Sequence, residues 1–374
     1  MNTRMKNGPS HRRPKGFTLI ELIIGSAIML VVIVAALSVY SRSNQLSVDQ
    51  QQYAEIQNDV RSAMFLLMRD TRMAGAGLPQ QFLMYSLEAV DNEDQGVAVK
   101  PDRLTVMGNI NSSLLLSIQA YGGYQTAAQA SLDDDSFEKY AYADAYYPGN
   151  FVLILPNPAA SCRAGEVRQV DHITHNADGT NEIIYFKGGL VSLNLPGNLL
   201  GTCNDATNFS GGQIMFVDVK QYWLDLTGKY PGLTAGVNGY LGIPGVFYQT
   251  ENGVHNPIAQ NIENFQVQFN GDFDGTGVLN GFRDWDTGAN GGPQIWTVDT
   301  VSNIRQVKVW LLGRTANAFV SVSGKSTGGI SVYRRPAMGN SPAAAVEDLH
   351  RRFLLQSMSN IRNMSLNLYN SGER

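Results

Sequence analysis

The residues with the most definite chemistry stand near one end of the chain, in Lys15-Gly16-Phe17-Thr18-Leu19-Ile20-Glu21. Glu21 is a lone carboxylate at the head of nineteen uncharged residues, Leu22 to Tyr40. In the middle of a bilayer such a group costs about 2.5 to 3.5 kcal/mol on insertion scales, so it requires a cation or a polar cavity. A cut after Gly16 would supply the cation. The new amino group of Phe17 would lie four residues before Glu21, within helical reach, and the amine of a second copy packed alongside would serve equally. Five basic residues and no acid precede the site (Arg4, Lys6, Arg12, Arg13 and Lys15). A cationic head set against an apolar rod addresses a membrane, with the head cytoplasmic and everything after Tyr40 exported. At about 1.5 Å per helical residue the run reaches roughly 29 Å, close to the ~30 Å hydrocarbon core of a bilayer.

Gly16-Phe17-Thr18-Leu19-Ile20-Glu21 resembles the processing site of type IV prepilins. The resemblance implies a membrane peptidase that cuts after Gly16 and methylates the new N-terminal Phe17. It also implies that Glu21 pairs with a neighbouring subunit's N-terminus during filament assembly. Two plainer readings stand beside it. An ordinary secretory signal could be cut at Ala36-Leu37-Ser38, but the apolar run exceeds the usual length of about 7 to 15 residues and contains a glutamate. A simple signal anchor leaves Gly16 and Glu21 unexplained.

Three other groups could carry chemistry. Asp272, Asp274, Thr276 and Asn280 offer oxygen ligands in a glycine-rich loop of the kind that holds calcium. Arg283 stands where the twelfth-position acid belongs, with Asp284 and Asp286 beyond it, so a hairpin turn with solvated acids is the alternative. Cys162 and Cys203 are the two cysteines, and in an oxidising exported compartment a bridge between them is the expectation, against two separate buried thiols. Such a bridge stabilises by roughly 3 to 4 kcal/mol in the chain-entropy model. Tyr140, Tyr142, Tyr146 and Tyr147 could form a stacking surface or an ordinary sheet face.

Enzymatic signatures do not appear. His172 and His175 lack further ligands beyond Asp171 and Asp178, and read as satisfied or exposed histidines. Ser323 to Thr327 mimics the tail of a phosphate-binding loop, but Phe319 stands where the earlier glycine is required. There is no H-E-x-x-H or G-x-G-x-x-G, and nothing nominates a catalytic centre or a cofactor other than calcium. After Gly16 the chain holds 32 acids against 23 Lys and Arg, a net charge of −9. That balance argues against nucleic acid as a partner.

The elements that must position these residues follow from periodicity. Tyr53, Ile56, Val60, Met64 and Leu67 fall on one stripe, so the N-terminal helix continues past Tyr40, and Gly75, Gly77 and Pro79 stop it. Unbroken from Phe17 to Ala74 it would be about 87 Å long. From Leu78 onward short runs read as strands: Arg103–Met107, Leu114–Ala120, Phe151–Leu155, Glu166–Thr174, Glu182–Phe186, Gln213–Leu224, Asn264–Phe269 and Arg305–Leu312. The expected fold is α+β and pilin-like: a leader 1–16 that is removed, a helix 17–75 with 22–40 in the membrane, and an antiparallel, sheet-rich head 78–374.

Residues Ile262–Phe269, the acidic loop and Ile304–Leu312 look like the C-terminal part of PilW-type minor pilins, and the tail from Arg351 to Asn363 is similar to that family's closing arginine-rich segment. The resemblance implies a structural subunit in the initiation or tip complex of a type IV pilus. Its partners would be other minor and major pilins, the prepilin peptidase and the inner membrane, with the head first periplasmic and then at the cell surface. A pseudopilin of a type II secretion system shares the same N-terminal logic. A membrane-tethered hydrolase or sugar-binding module is the alternative from another class.

Overall fold

The computed structural model describes residues 16–79, 85–93, 95, 99–109, 115–122, 128–132, 150–174, 183–188, 203, 206–226, 245–251, 253–285, 301, 303–317, 333–345 and 347–361. Residues 1–15 of the leader, the tyrosines Tyr140, Tyr142, Tyr146 and Tyr147, His175, and Ser323–Thr327 lie outside them. The chain divides into two compact units: residues 1–51 with 321–325, and residues 52–320 with 326–374.

The first unit is helical where it is described. Helix α1 runs Leu19–Arg72, and in this unit its large apolar side chains are exposed, among them Ile20, Leu22, Ile28, Val32 and Leu37. Its most apolar stretch has a mean hydropathy of 2.9 with none of it buried, and it is long and apolar enough to cross a membrane.

Among the described residues, the second unit is built on the remainder of α1 and fourteen strands. In chain order these are β1 (Leu87–Val90), β2 (Arg103–Gly108), β3 (Leu115–Tyr121), β4 (Gln129–Leu132), β5 (Phe151–Leu155), β6 (Glu166–Thr174) and β7 (Ile183–Phe186). They continue with β8 (Gln213–Asp225), β9 (Gly245–Glu251), β10 (Val254–Gly271), β11 (Ile304–Arg314), β12 (Tyr333–Arg334), β13 (Glu347–Asp348) and β14 (Arg352–Asn360). Among the described residues the pairings are antiparallel, and no second α-helix occurs. The chain thus has a long N-terminal helix, apolar in its first part, whose later part packs on a large antiparallel sheet, an α+β arrangement.

The alternation in β10 and β11 shows why this sheet accepts a helix. The register pairs Phe265 with Leu311, Val267 with Val309 and Phe269 with Val307, all buried on one face. Gln266 with Trp310 and Gln268 with Lys308 take the opposite face, where an amide ladder runs from Asn270 to Gln306 to Asn360 across three strands. Ile56, Val60, Ala63, Met64 and Leu67 of α1 complete the apolar face, as the stripe in the sequence requires. The helix approaches closely at Gly313, where an added Cβ would collide with the γ2 methyls of Ile56 and Val60. Glycine is required there by space, since its φ is not in the left-handed region.

Strand β8 serves two structures, which no local pattern announces. Its second half pairs with β2 and β9 in the helix-backed sheet. Its first half pairs with β3 on one side and β5 on the other, and the order β8-β3-β4-β7-β6-β5 returns to β8 as a closed ring of six strands. Closure removes two exposed edges. Val152–Leu155 and Ile214–Val217 are buried at successive positions, which is why they read as continuous apolar runs. In the ring Glu166 is fully buried: Tyr121 Oη donates to its Oε2 at 2.6 Å, Arg168 Nη1 donates to Oε1 at 3.1 Å, and the Arg168 guanidinium lies 5.2 Å from the Phe186 ring centroid.

A disulfide joins Cys162 to Cys203 across 41 residues, both nearly inaccessible. Labelling the denatured, unreduced protein with a thiol reagent is expected to modify neither cysteine. Replacing both by serine should lower stability by about 3 to 4 kcal/mol, and free thiols in exported material would refute the bridge.

Candidate processing and assembly site

Thr18 sets the local geometry of the N-terminal site. Its carbonyl accepts the first intrahelical bond, from Leu22 N at 3.2 Å, while Gly16, Phe17 and Thr18 lie outside the helix. Glu21 Oε2 accepts from the Thr18 N–H at 2.9 Å and from the Thr18 hydroxyl at 3.0 Å, and the Glu21 N–H donates to Thr18 Oγ1 at 3.3 Å. This is a capping box, in which an N-cap threonine and a glutamate three residues on satisfy each other's otherwise orphaned groups. Gly16 meets no neighbouring atom within 4 Å of an added Cβ, and Phe17 is 85% exposed. The bond between Gly16 and Phe17 therefore sits one residue ahead of the cap, outside the helix and open to approach.

The arrangement brings together Gly16, Phe17 and Glu21, the residues that sequence reasoning selected, and adds Thr18, which it passed over. The signal was present: Thr-x-x-Glu before an apolar run is itself the sequence mark of a capping box. Beyond the cap, apolar side chains from Leu19 to Val48 are exposed, a surface that requires lipid or other helices around it.

Comparison with known proteins agrees with this geometry. Residues 11–37 match the family of the prokaryotic N-terminal methylation motif. This is a type IV prepilin-like N-terminus. The chain also shows a distant relationship to the pilin-like protein PilA3 of Thermus thermophilus, 34% identical over 62 residues. That match covers 17% of this chain and 27% of the relative, so the chain spans about a quarter of that protein's length. No solved structure matches. The motif implies processing by a prepilin peptidase, and with the apolar helix it suggests membrane anchoring followed by assembly.

The second candidate site is the loop after β10. Asp272, Asp274, Thr276 and Asn280 are brought together, and their oxygens are engaged within the loop. Asp272 accepts from Thr276 N at 3.0 Å and Gly277 N at 2.8 Å. Asp274 accepts from the Thr276 hydroxyl at 2.7 Å, from Thr276 N at 3.2 Å and from Asn280 Nδ2 at 2.8 Å. Asn280 Oδ1 in turn accepts from Phe273 N. The Thr276 hydroxyl, backed by the other donors, holds the Asp274 carboxyl down to about 2. These bonds close the loop on themselves, and among the described residues no group of three or more His, Cys, Asp or Glu is placed to hold a metal. His172 is half-exposed, with Nδ1 2.8 Å from Asp171 and its ring stacked 4.3 Å from Tyr185.

Proposed function

We propose that this chain is a minor pilin: a membrane-inserted structural subunit cut after Gly16, methylated on Phe17, and drawn into a pilus or its initiation complex by α1. The capped, exposed Gly16–Phe17 junction in front of a long unburied apolar helix carries the reading. Glu21 is the assembly carboxylate, neutralised by the amino terminus of a neighbouring subunit. The head from 78 onward is large for a repeating shaft, which favours a low-copy place at the tip, and the resemblance of residues 262–312 to PilW-type subunits supports the same place. Other pilins, the prepilin peptidase and the inner membrane are the partners this reading requires, with no bond-making chemistry of its own. The type II secretion pseudopilin remains the sister reading, and partner genes or co-purified subunits separate the two. Calcium at Asp272, Asp274, Thr276 and Asn280 would have to displace the loop's own donors.

Mass spectrometry of the mature protein tests the processing. The expected N-terminal peptide begins at Phe17 with one added methyl group and lacks the five basic residues of the leader. A chain that keeps residues 1–16 in cells with an active peptidase, or one that begins after Ser38, would overturn the reading.

A further inference from the structure

We infer that Thr18 is a positioning residue for cleavage: by fixing where α1 begins, it keeps the Gly16–Phe17 bond in non-helical, accessible backbone. The inference rests on the processing reading above and adds a residue to it. A peptide bond wound into a helix turns its groups along the axis and crowds its faces with the neighbouring turn, whereas a hydrolytic site takes its substrate extended, with the carbonyl carbon open to water. The helix start is therefore part of the substrate.

Little else in the sequence holds that start at Thr18. Phe17, Leu19 and Ile20 are as compatible with the apolar rod as Leu22 is, and the nearest proline upstream is Pro14. Gly16 is itself an acceptable N-cap. Without the Thr18 hydroxyl and its two hydrogen bonds with Glu21, the helix gains freedom to begin at Gly16, which winds the scissile bond into the first turn. The chain would then be competent for the peptidase only in the fraction of time its end is unwound. Such a loss of competent population appears in KM and leaves kcat unchanged.

The test is cleavage of the full-length precursor by a prepilin peptidase in detergent, with KM and kcat measured separately. Thr18→Ala is expected to lower kcat/KM by about 5-fold through KM, the size set by a lost cap. Thr18→Ser, which keeps the hydroxyl, should match the parent. The deciding variant is Thr18→Ala combined with Leu19→Pro. Proline at the first helical position re-fixes the start at residue 18 without any hydroxyl, and cleavage should return to within about twofold of the parent. Parent-like cleavage of Thr18→Ala overturns the inference while leaving the processing reading standing. So does failure of the proline to restore cleavage, which would mean that the hydroxyl acts on the peptidase directly. An uncut parent chain overturns both.

Discussion

Glu21→Gln is expected to leave the chain cut, methylated and in the membrane, and to reduce its recovery in purified filaments on the order of 100-fold. The substitution separates two roles of one side chain. In the capping box glutamine replaces glutamate at the third helical position with little loss, so the Thr18 contacts persist and the Gly16–Phe17 bond stays presented. What disappears is the negative charge. In the assembled state the amine of a neighbouring subunit would then face an amide among apolar helices, and a cation stranded there costs about 2.5 to 3.5 kcal/mol, or roughly two decades of equilibrium. The measurement is the ratio of processed protein in sheared filaments to that in membranes, parent against variant. Equal ratios would remove Glu21 from assembly, and an uncut variant would assign the carboxylate to processing instead.

The legibility of this site follows from how locally its chemistry is written. Glycine, aromatic, carboxylate and apolar rod stand within one continuous stretch, so spacing alone exposes them. The hydroxyl of Thr18 sits in the same stretch, yet its meaning depends on the helix starting there, and a motif that already had an explanation absorbed it. The acidic loop after β10 shows the opposite limit. Alternate oxygen ligands suggest an ion, but the geometry that turns those oxygens onto the Thr276 and Gly277 N–H groups is set by glycines at positive φ, Gly275 and Gly277, and spacing does not report it.

For the fold, each strand run read from the sequence overlaps an observed strand, because apolar alternation or a continuous apolar run is a local signature. The omissions have particular causes. β1 (Leu-Glu-Ala-Val) and β4 (Gln-Ala-Ser-Leu) are four residues long with few large apolar side chains, whereas the equally short β7 (Ile-Ile-Tyr-Phe) is apolar or aromatic throughout and stands out. β14 was hidden behind its arginines: the Arg351-Arg352 pair draws the eye to charge, whereas Arg352 is a buried anchor whose Nη2 donates to Asp348 at 2.6 Å and to Glu263 at 3.1 Å. The closed ring depends on β8 accepting β3 and β5 over the same residues, a tertiary fact without a local trace. Burial of Asp102 is similar. Its carboxylate accepts from Val267 N at 2.7 Å and Asn92 N at 3.0 Å, serving β10 at an edge that β9 has left. Burial pushes its carboxyl well up in spite of those donors.

Asp70→Ala should produce the largest loss of stability in the head, about 3 to 5 kcal/mol, the range for removing one member of a buried charged network. Asp70 lies in the last turn of α1 and is 4% exposed. Its Oδ2 accepts from Tyr222 Oη at 2.7 Å and Gln249 Nε2 at 3.0 Å, with Lys220 Nζ at 3.2 Å, while Arg69 Nε reaches Oδ1 at 2.8 Å. Removing the carboxylate orphans donors from two sheet strands, β8 and β9, at the point where the helix is fastened to them. Burial raises the Asp70 carboxyl, but the bonds from Arg69 and Tyr222 and the charge of Lys220 outweigh it, so the folded value lies below the ordinary one. The sign follows: with the folded value depressed, Asp70 stabilises above its unfolded value of about 3.9, and that contribution disappears as pH falls through the folded value. Asp274 is also low, but it is fully exposed in a loop that anchors nothing, so the same direction carries no comparable consequence for the fold. Urea unfolding of the detergent-solubilised chain, followed by tryptophan fluorescence, reads the difference, because Trp223 stacks 4.7 Å from Tyr248 beside Tyr222. The parent should weaken with acid below about pH 4, and Asp70→Asn should start lower and lose less over the same interval. An Asp70→Ala chain within about 1 kcal/mol of the parent would show that the helix is held by its apolar stripe and by the close approach at Gly313, with the buried network contributing little.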